Sequence, residues 1–373
     1  MTRAPYLAML LRTRRRPGGA WRLAPTMTHA DCTWILDSGG AGRGAWQGGV
    51  IHRFMEWART HGALPSVTMG ASAGGYAAAD VATGTEHTVT KGWTWWGTGR
   101  LPELSSRLPP GWRARGLGPF RAHLHGSVRY VMAECEMAAL FDPEIPKKLL
   151  IFTTRVRRRD GRPFSTADMT RLFVRSATRK LPSALKYLPA RYDEDLVVFA
   201  TPLPPSLRSE WVRRLDPENF HRVLEASCLV PLAMGAPIPA AALTTDGAPP
   251  DDRLAVFVDG GFTAKMPITL FMDDPRYQPV AAWARTRQTV IFCCDPGGNL
   301  WETSSRLRRL NDDPRVRRAI TDETLLVVSP DHPIEAGFLC TDNDVIMRTF
   351  RRGQEQGDRL LHSDDVKRFL GPS

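Results

Sequence analysis

From about residue 32 onward the chain alternates short apolar runs with glycine-rich turns and with segments whose apolar residues recur at helical spacing. Thr33 to Asp37, Ser66 to Met69, Leu149 to Thr153, Leu196 to Phe199 and Leu254 to Val258 are too short for helices and carry bulky or β-branched residues, so each predicts a buried strand. After the first run, Trp46, Val50, Phe54 and Trp57 fall on one helical face, and after the second the alanine-rich stretch Tyr76 to Val81 predicts another helix. Two strand, tight turn, helix units thus stand back to back. With 373 residues, 42% of them hydrophobic, the chain is long enough to bury one large α/β core.

The two turns carry the candidate chemistry. The second, Gly70-Ala71-Ser72-Ala73-Gly74, is a G-x-S-x-G sequence between strand and helix, the setting of a nucleophile elbow. Small residues let the backbone reverse there, hold the Ser72 hydroxyl clear of the sheet and aim a helix N-terminus at whatever the serine attacks. The first turn is Ser38-Gly39-Gly40-Ala41-Gly42-Arg43-Gly44. Gly40 to Ala45 also fits a relaxed dinucleotide fingerprint, but that pattern needs an acidic residue about 20 positions on, at the end of the second strand, where the serine elbow stands instead. The better reading is an oxyanion hole, whose backbone N-H donors must lie about 2.7 to 3.1 Å from the developing charge. Bare glycines allow that approach.

A base must accompany the serine. Leu254 to Val258 predicts a strand, and Asp259-Gly260-Gly261 marks its sharp end. In an open α/β sheet, reacting groups collect beyond the carboxyl ends of the strands, where Ser72 and Asp259 would both fall. Taken alone the pair is an ordinary D-G turn; the elbow and loop upstream favour a catalytic aspartate. A Ser-His-Asp triad would draw on His332, the one loop histidine after Asp259, although its flanking prolines suit an exposed turn. His123 and His125 have no Cys or carboxylate at ligand spacing, so no metal site is predicted.

In these three elements, and in their order, the chain resembles the patatin-like phospholipase family. Gly39 to Gly44 is similar to the family's oxyanion loop, with Ala41 in place of a third glycine; Gly70 to Gly74 is similar to its elbow, and Asp259-Gly260-Gly261 to its aspartate motif. Phe220 to Pro231 resembles the family's helix ending in an A-S-x-x-x-P turn, and Val327 to Pro330 precedes a final helix from about Asp342 to Leu361, as the family commonly shows. The resemblance implies a three-layer α/β/α fold with a mostly parallel central sheet and an inserted irregular or helical cap. It implies a lipid acyl hydrolase with a Ser72-Asp259 dyad and oxyanion donors from Gly39, Gly40, Ala41 and Ala73. Arg43 would brace the loop or meet a headgroup, and no cofactor is implied. An esterase or thioesterase acting on other esters would use the same dyad. From a different class, a non-catalytic lipid- or membrane-binding protein would keep the fold without the reaction.

Composition narrows the setting. Cys32, Cys135, Cys228, Cys293, Cys294 and Cys340 are scattered and read as core residues rather than a disulfide framework. No stretch approaches the roughly 18 apolar residues of a spanning helix, which points to a cytoplasmic protein, peripheral at a membrane if it meets one. Residues 1 to 30 are arginine-rich and free of acids until Asp31, with the charges on the wrong side of the short apolar run for a secretory signal. They read as a disordered arm, a targeting segment or an extension upstream of a functional start at Met27, and are excluded from the predicted domain, 31 to 373. A variable insertion spans about 84 to 200, where Trp93, Trp95, Trp96 and Trp112 suggest a cap at the site entrance. Within it Arg155, Arg157, Arg158, Arg159, Arg171, Arg175, Arg179, Lys180, Lys186 and Arg191 face few acids in sequence. With a net charge of +11, they predict either a solvated face or a platform for anionic lipid. Nucleic acid is not expected, because aromatics do not interleave with the arginines. Oligomeric state is not readable.

Overall fold

The computed structural model describes residues 29–39, 42–96, 119–145, 147–165, 167–172, 191–230, 234–244, 252–266, 268, 273–303, 307–337, 340 and 342–370. Strand β1 (His29–Leu36) turns Trp34 and Leu36 into one apolar cluster and Ile35 into another, so both its faces are covered. Parallel to it run β2 (Leu64–Ala71) on one side and β8 (Gln288–Phe292) on the other, with β11 (Leu325–Val328) parallel beyond β8. Helix α1 (Gly44–Thr60) makes the crossover from β1 to β2, burying Val50, Ile51, Phe54, Met55 and Ala58. Each large side chain so buried contributes about 1.5–3 kcal/mol.

Among the described residues seven strands of the main sheet run in the order β11-β8-β1-β2-β3-β4-β5, where β3 is Lys148–Arg158, β4 is Tyr192–Thr201 and β5 is Val212–Arg214. Two more strands, β6 (Ile238–Pro239) and β7 (Val256–Asp259), join by the pairing of β7 with β3 and bring the sheet to nine. A separate hairpin is formed by β9 (Trp301–Thr303) and β10 (Leu307–Arg309). One face of the sheet carries α1, α2 (Ala73–Ala82), α3 (Glu86–Trp96), α4 (Pro119–Val131), α5 (Glu134–Leu140) and α6 (Phe220–Ser227). It also carries α9 (Asn343–His362) and α10 (Asp364–Leu370), whereas α7 (Gln278–Trp283) and α8 (Pro314–Thr321) cover the other face. Asp342 caps α9 by accepting from the amides of Asp344 and Val345 at 2.9 and 3.0 Å. Gln356 then ties α9 to α1, accepting from Trp46 Nε1 at 3.0 Å.

The three-layer architecture with a mostly parallel sheet is the one expected; three details differ. β1 begins at His29, with His29 opposite Leu64 and Ala30 opposite Pro65, so two residues assigned to the N-terminal extension belong to the sheet. Backbone pairing does not require the apolar run that marked the strand. The described part of the insertion between β2 and β3 takes the helical of the two expected forms, with Trp93 and Trp96 buried on α3; Trp112 lies outside the described residues.

β3 does not end at Thr153 but runs on through the arginines. Those arginines are not a free cationic platform: Arg155 is fully buried and paired with Asp195, Glu210 and Asp252 at 3.0, 3.1 and 3.0 Å. Arg157 meets Asp195, Arg158 meets Asp160 and Asp168, Arg159 meets Asp193, and Arg171 meets Asp168. Asp160 and Asp168 lie within the segment itself, whereas Asp193 and Asp195 come from β4 and Glu210 and Asp252 from farther along the chain, which a count of neighbouring charges misses. Arg191 is exposed, and Arg175, Arg179, Lys180 and Lys186 lie outside the described residues. Cys32, Cys228, Cys293 and Cys294 are buried free thiols, and Cys340 is half-buried and free. No helix among the described residues is long and apolar enough to cross a membrane.

Candidate active site

Ser72 stands between β2 and α2 with φ 55° and ψ −131°, a left-handed conformation that costs a non-glycine residue about 1–3 kcal/mol. Neighbours from distant parts of the chain hold it there. Its amide donates to Ser227 Oγ at 3.0 Å, and that hydroxyl donates in turn to the Phe152 carbonyl at 2.7 Å. The Cys228 thiol donates to the Ser72 carbonyl at 3.1 Å, which also receives the Tyr76 amide at 3.1 Å. Gly74 lies so close to β1 that a Cβ would stand 2.2 Å from the Leu36 carbonyl oxygen, and only glycine fits.

Sheet topology brings Asp259 to the serine. β4 occupies one edge of β3 along its length. The other edge is shared: β2 pairs in parallel up to Ala71 opposite Phe152, and β7 pairs antiparallel from the far end, with Asp259 opposite Thr153. The two strands therefore meet carboxyl end to carboxyl end, and the residues leaving them face each other. At the junction a Cβ on Gly260 would be 2.2 Å from the Phe152 carbonyl oxygen, which explains the glycine after the aspartate.

Ser72 Oγ donates to Asp259 Oδ2 at 2.6 Å. The other carboxylate oxygen, Oδ1, accepts from the Gly261 amide at 2.7 Å. Ser72 and Asp259 are 7% and 4% exposed, dry enough for the environment to govern the proton. Burial raises the Asp259 carboxyl to about 7, against the opposing pull of the bonds from Ser72 and Gly261. A hydroxyl held on a carboxylate titrating near neutrality can lose its proton to it during attack on a carbonyl.

Around this pair, Ala73 opens α2, a helix with no side-chain cap on its first-turn amides, so an anion beside Ser72 would find donors there. Gly39 packs against Cys294 Sγ. Asp37, fully buried just before it, accepts from the Cys294 amide at 3.0 Å and lies 3.5 Å from Lys265 Nζ, fixing the start of the loop. Gly40 and Ala41 lie outside the described residues. Arg43 is exposed, and so is His332, on the turn after β11. His123 is buried and bonded to the Trp96 carbonyl, while His125 is paired with Glu225 at 2.5 Å. Among the described residues no group of three or more His, Cys, Asp or Glu could hold a metal ion.

Beside Ser72 and Ala73 lies an apolar pocket lined by Tyr76 of α2, Trp93 and Trp96 of α3, Leu124 of α4, and Val230 and Met234 beyond α6. The family model for patatin-like phospholipase matches residues 35–272, which include the glycine loop, the elbow and Asp259. The chain belongs to the patatin-like phospholipase family. No curated protein matches it. The family is one of lipid acyl hydrolases, and its matched region ends before β8, β11 and α9, which complete this patatin-like sheet and its outer layer.

Several residues that shape this patatin-like site escaped sequence reasoning. Ser227 and Cys228 sit in the A-S-x-x-x-P segment, yet nothing in that spacing says that they bind the elbow 155 and 156 positions away. Asp37 read only as the end of a strand, and its partner Lys265 carried no signal. Trp93 and Trp96 read as part of an irregular cap; their three-residue spacing was the available sign of one helical face.

Proposed function

We propose that this patatin-like protein is a serine acyl hydrolase that cleaves ester bonds of lipids, phospholipids among them, with Ser72 as nucleophile and Asp259 as its base. The bond of 2.6 Å between Ser72 Oγ and a buried carboxylate raised to about 7 carries the reading. In the first step Ser72 Oγ passes its proton to Asp259 Oδ2 and bonds to the ester carbonyl carbon. Backbone amides of Gly39, Gly40, Ala41 and Ala73 receive the oxyanion. Collapse expels the alcohol, which takes the proton from Asp259. Water then gives a proton to Asp259 and attacks the acyl-enzyme, and the fatty acid leaves as Ser72 recovers its hydrogen. Arg43, exposed beside the loop, would brace the loop or meet the headgroup of the substrate.

Contact with an anionic membrane surface belongs to the same proposal and rests on the net charge of +11. Arg155 to Arg159 contribute little to it, since their charges already face carboxylates.

The test is product analysis by mass spectrometry after incubating purified protein with mixed phospholipid vesicles and, separately, with p-nitrophenyl butyrate. Fatty acid and lysophospholipid are expected from the wild type, and neither from a folded Ser72→Ala variant. Wild-type turnover by Ser72→Ala would overturn the assignment, and Ser72-dependent hydrolysis of the soluble ester alone would favour the non-phospholipid esterase.

A further inference from the structure

Tyr76 and Gly92 stand together in the wall of the pocket beside Ser72. Tyr76 stands on the first turn of α2, four residues and about 6 Å along the axis from the Ser72 that precedes the helix. Its hydroxyl lies 3.0 Å from Ser127 Oγ and donates to the Ser127 carbonyl at 3.3 Å, so α4 fixes the ring in place. Across from it, a Cβ on Gly92 would lie 3.0 Å from Tyr76 Cε1, leaving no passage between the ring and α3. Trp93, the next wall residue, is locked by packing on α1 at Gly44 and Gly48.

Behind Tyr76 lies Asp80, completely buried, with no hydrogen-bond partner for either carboxylate oxygen among the described residues. A long alkyl chain that pushed past the ring would meet this polar group.

We propose that Tyr76 sets the length of acyl chain that the site accepts: a chain esterified to Ser72 runs along α2 and stops at the phenol ring, so short acyl esters react in preference to long ones. The proposal rests on the acyl-hydrolase reading and names the substrate class of that site. Discrimination by an apolar pocket against a methylene that does not fit is worth about tenfold or more, so long-chain phospholipid is the slower substrate of the same site. Gly92 is the second determinant, because any side chain there narrows the same end. Burial holds the Asp80 carboxyl well above its ordinary range, against the opposing pull of Lys91.

The experiment measures kcat/KM for p-nitrophenyl butyrate, octanoate and palmitate with wild type, Tyr76→Ala, Gly92→Ala and Ser72→Ala. Wild type is expected to favour butyrate. Tyr76→Ala should raise the octanoate-to-butyrate ratio about tenfold or more, and Gly92→Ala should lower it. If the Tyr76 variant does not fold, as judged by circular dichroism, the Gly92 variant decides by the sign of its shift. Ser72-dependent hydrolysis with unchanged ratios would overturn the chain-length proposal alone. Absence of Ser72-dependent hydrolysis of every ester would overturn the acyl-hydrolase reading, and this proposal with it.

Discussion

Burial raises the Asp259 carboxyl from the usual 3.8 to about 7, and the same burial works against the folded state at neutral pH. Between those two values the folded protein keeps a proton that the unfolded chain gives up. The stability linked to this group is therefore fully present below the unfolded value and is lost as pH rises through about 7. Asn in its place can accept from the Gly261 amide through Oδ1 and donate from Nδ2 to Ser72 Oγ without ever carrying charge. Asp259→Asn is thus expected to melt at a higher temperature than wild type at about pH 8, with the difference closing toward about pH 4, while losing hydrolysis. Calorimetry across that range checks it; a lower melting temperature at pH 8 would show that the carboxylate stabilises the fold. Ser72 and Asp259 were legible in sequence because each ends an apolar run at a glycine turn. Ser227 and Cys228 were not, since a hydroxyl or thiol that bonds a distant backbone group leaves no periodic trace.

At the level of elements, the site depends on how β2 and β7 abut on one edge of β3. Sequence reasoning placed Ser72 and Asp259 beyond strand carboxyl ends, as observed, but the opposed direction of β7 was invisible, because pairing direction depends on connections and not on composition. The end of β3 was misjudged for a related reason: Arg155 looks like a loop residue until Asp195, Glu210 and Asp252 are brought to it. Where β2 turns into α2, Ser227 of α6 holds both the Ser72 amide and the Phe152 carbonyl. Ser227→Ala removes the side-chain partner of the buried Ser72 amide, at about 1–3 kcal/mol. The variant is expected to lose stability by that order in urea unfolding, and to lose kcat more than KM for a soluble ester, because the elbow loses its anchor while the pocket keeps its walls. Unchanged stability and kcat would show that the Ser227 bonds are dispensable.

For the molecule as a whole, the alternation of apolar runs and helical faces was enough to give the layered α/β architecture, and the order of three glycine motifs was enough to give the family. Charge was harder to read. The arginines of β3 seemed unmatched along the chain, yet folding sets an acid against each of Arg155, Arg157, Arg158 and Arg159, so a net charge of +11 does not translate into a basic patch at that strand. The cap was the least legible part, because its helices bury tryptophans against a pocket that exists only once α2, α3, α4 and α6 are assembled. What the assembled fold achieves is the meeting of one strained serine with one dry aspartate. The most direct measurement is the rate at which a fluorophosphonate labels the protein as a function of pH, with the modified residue identified by mass spectrometry, in wild type and Asp259→Asn. Labelling at Ser72 alone is expected, rising with pH around a midpoint near 7 in wild type and slow without that rise in Asp259→Asn. Labelling at another residue, or an equal rate and pH profile in the two proteins, would contradict the dyad.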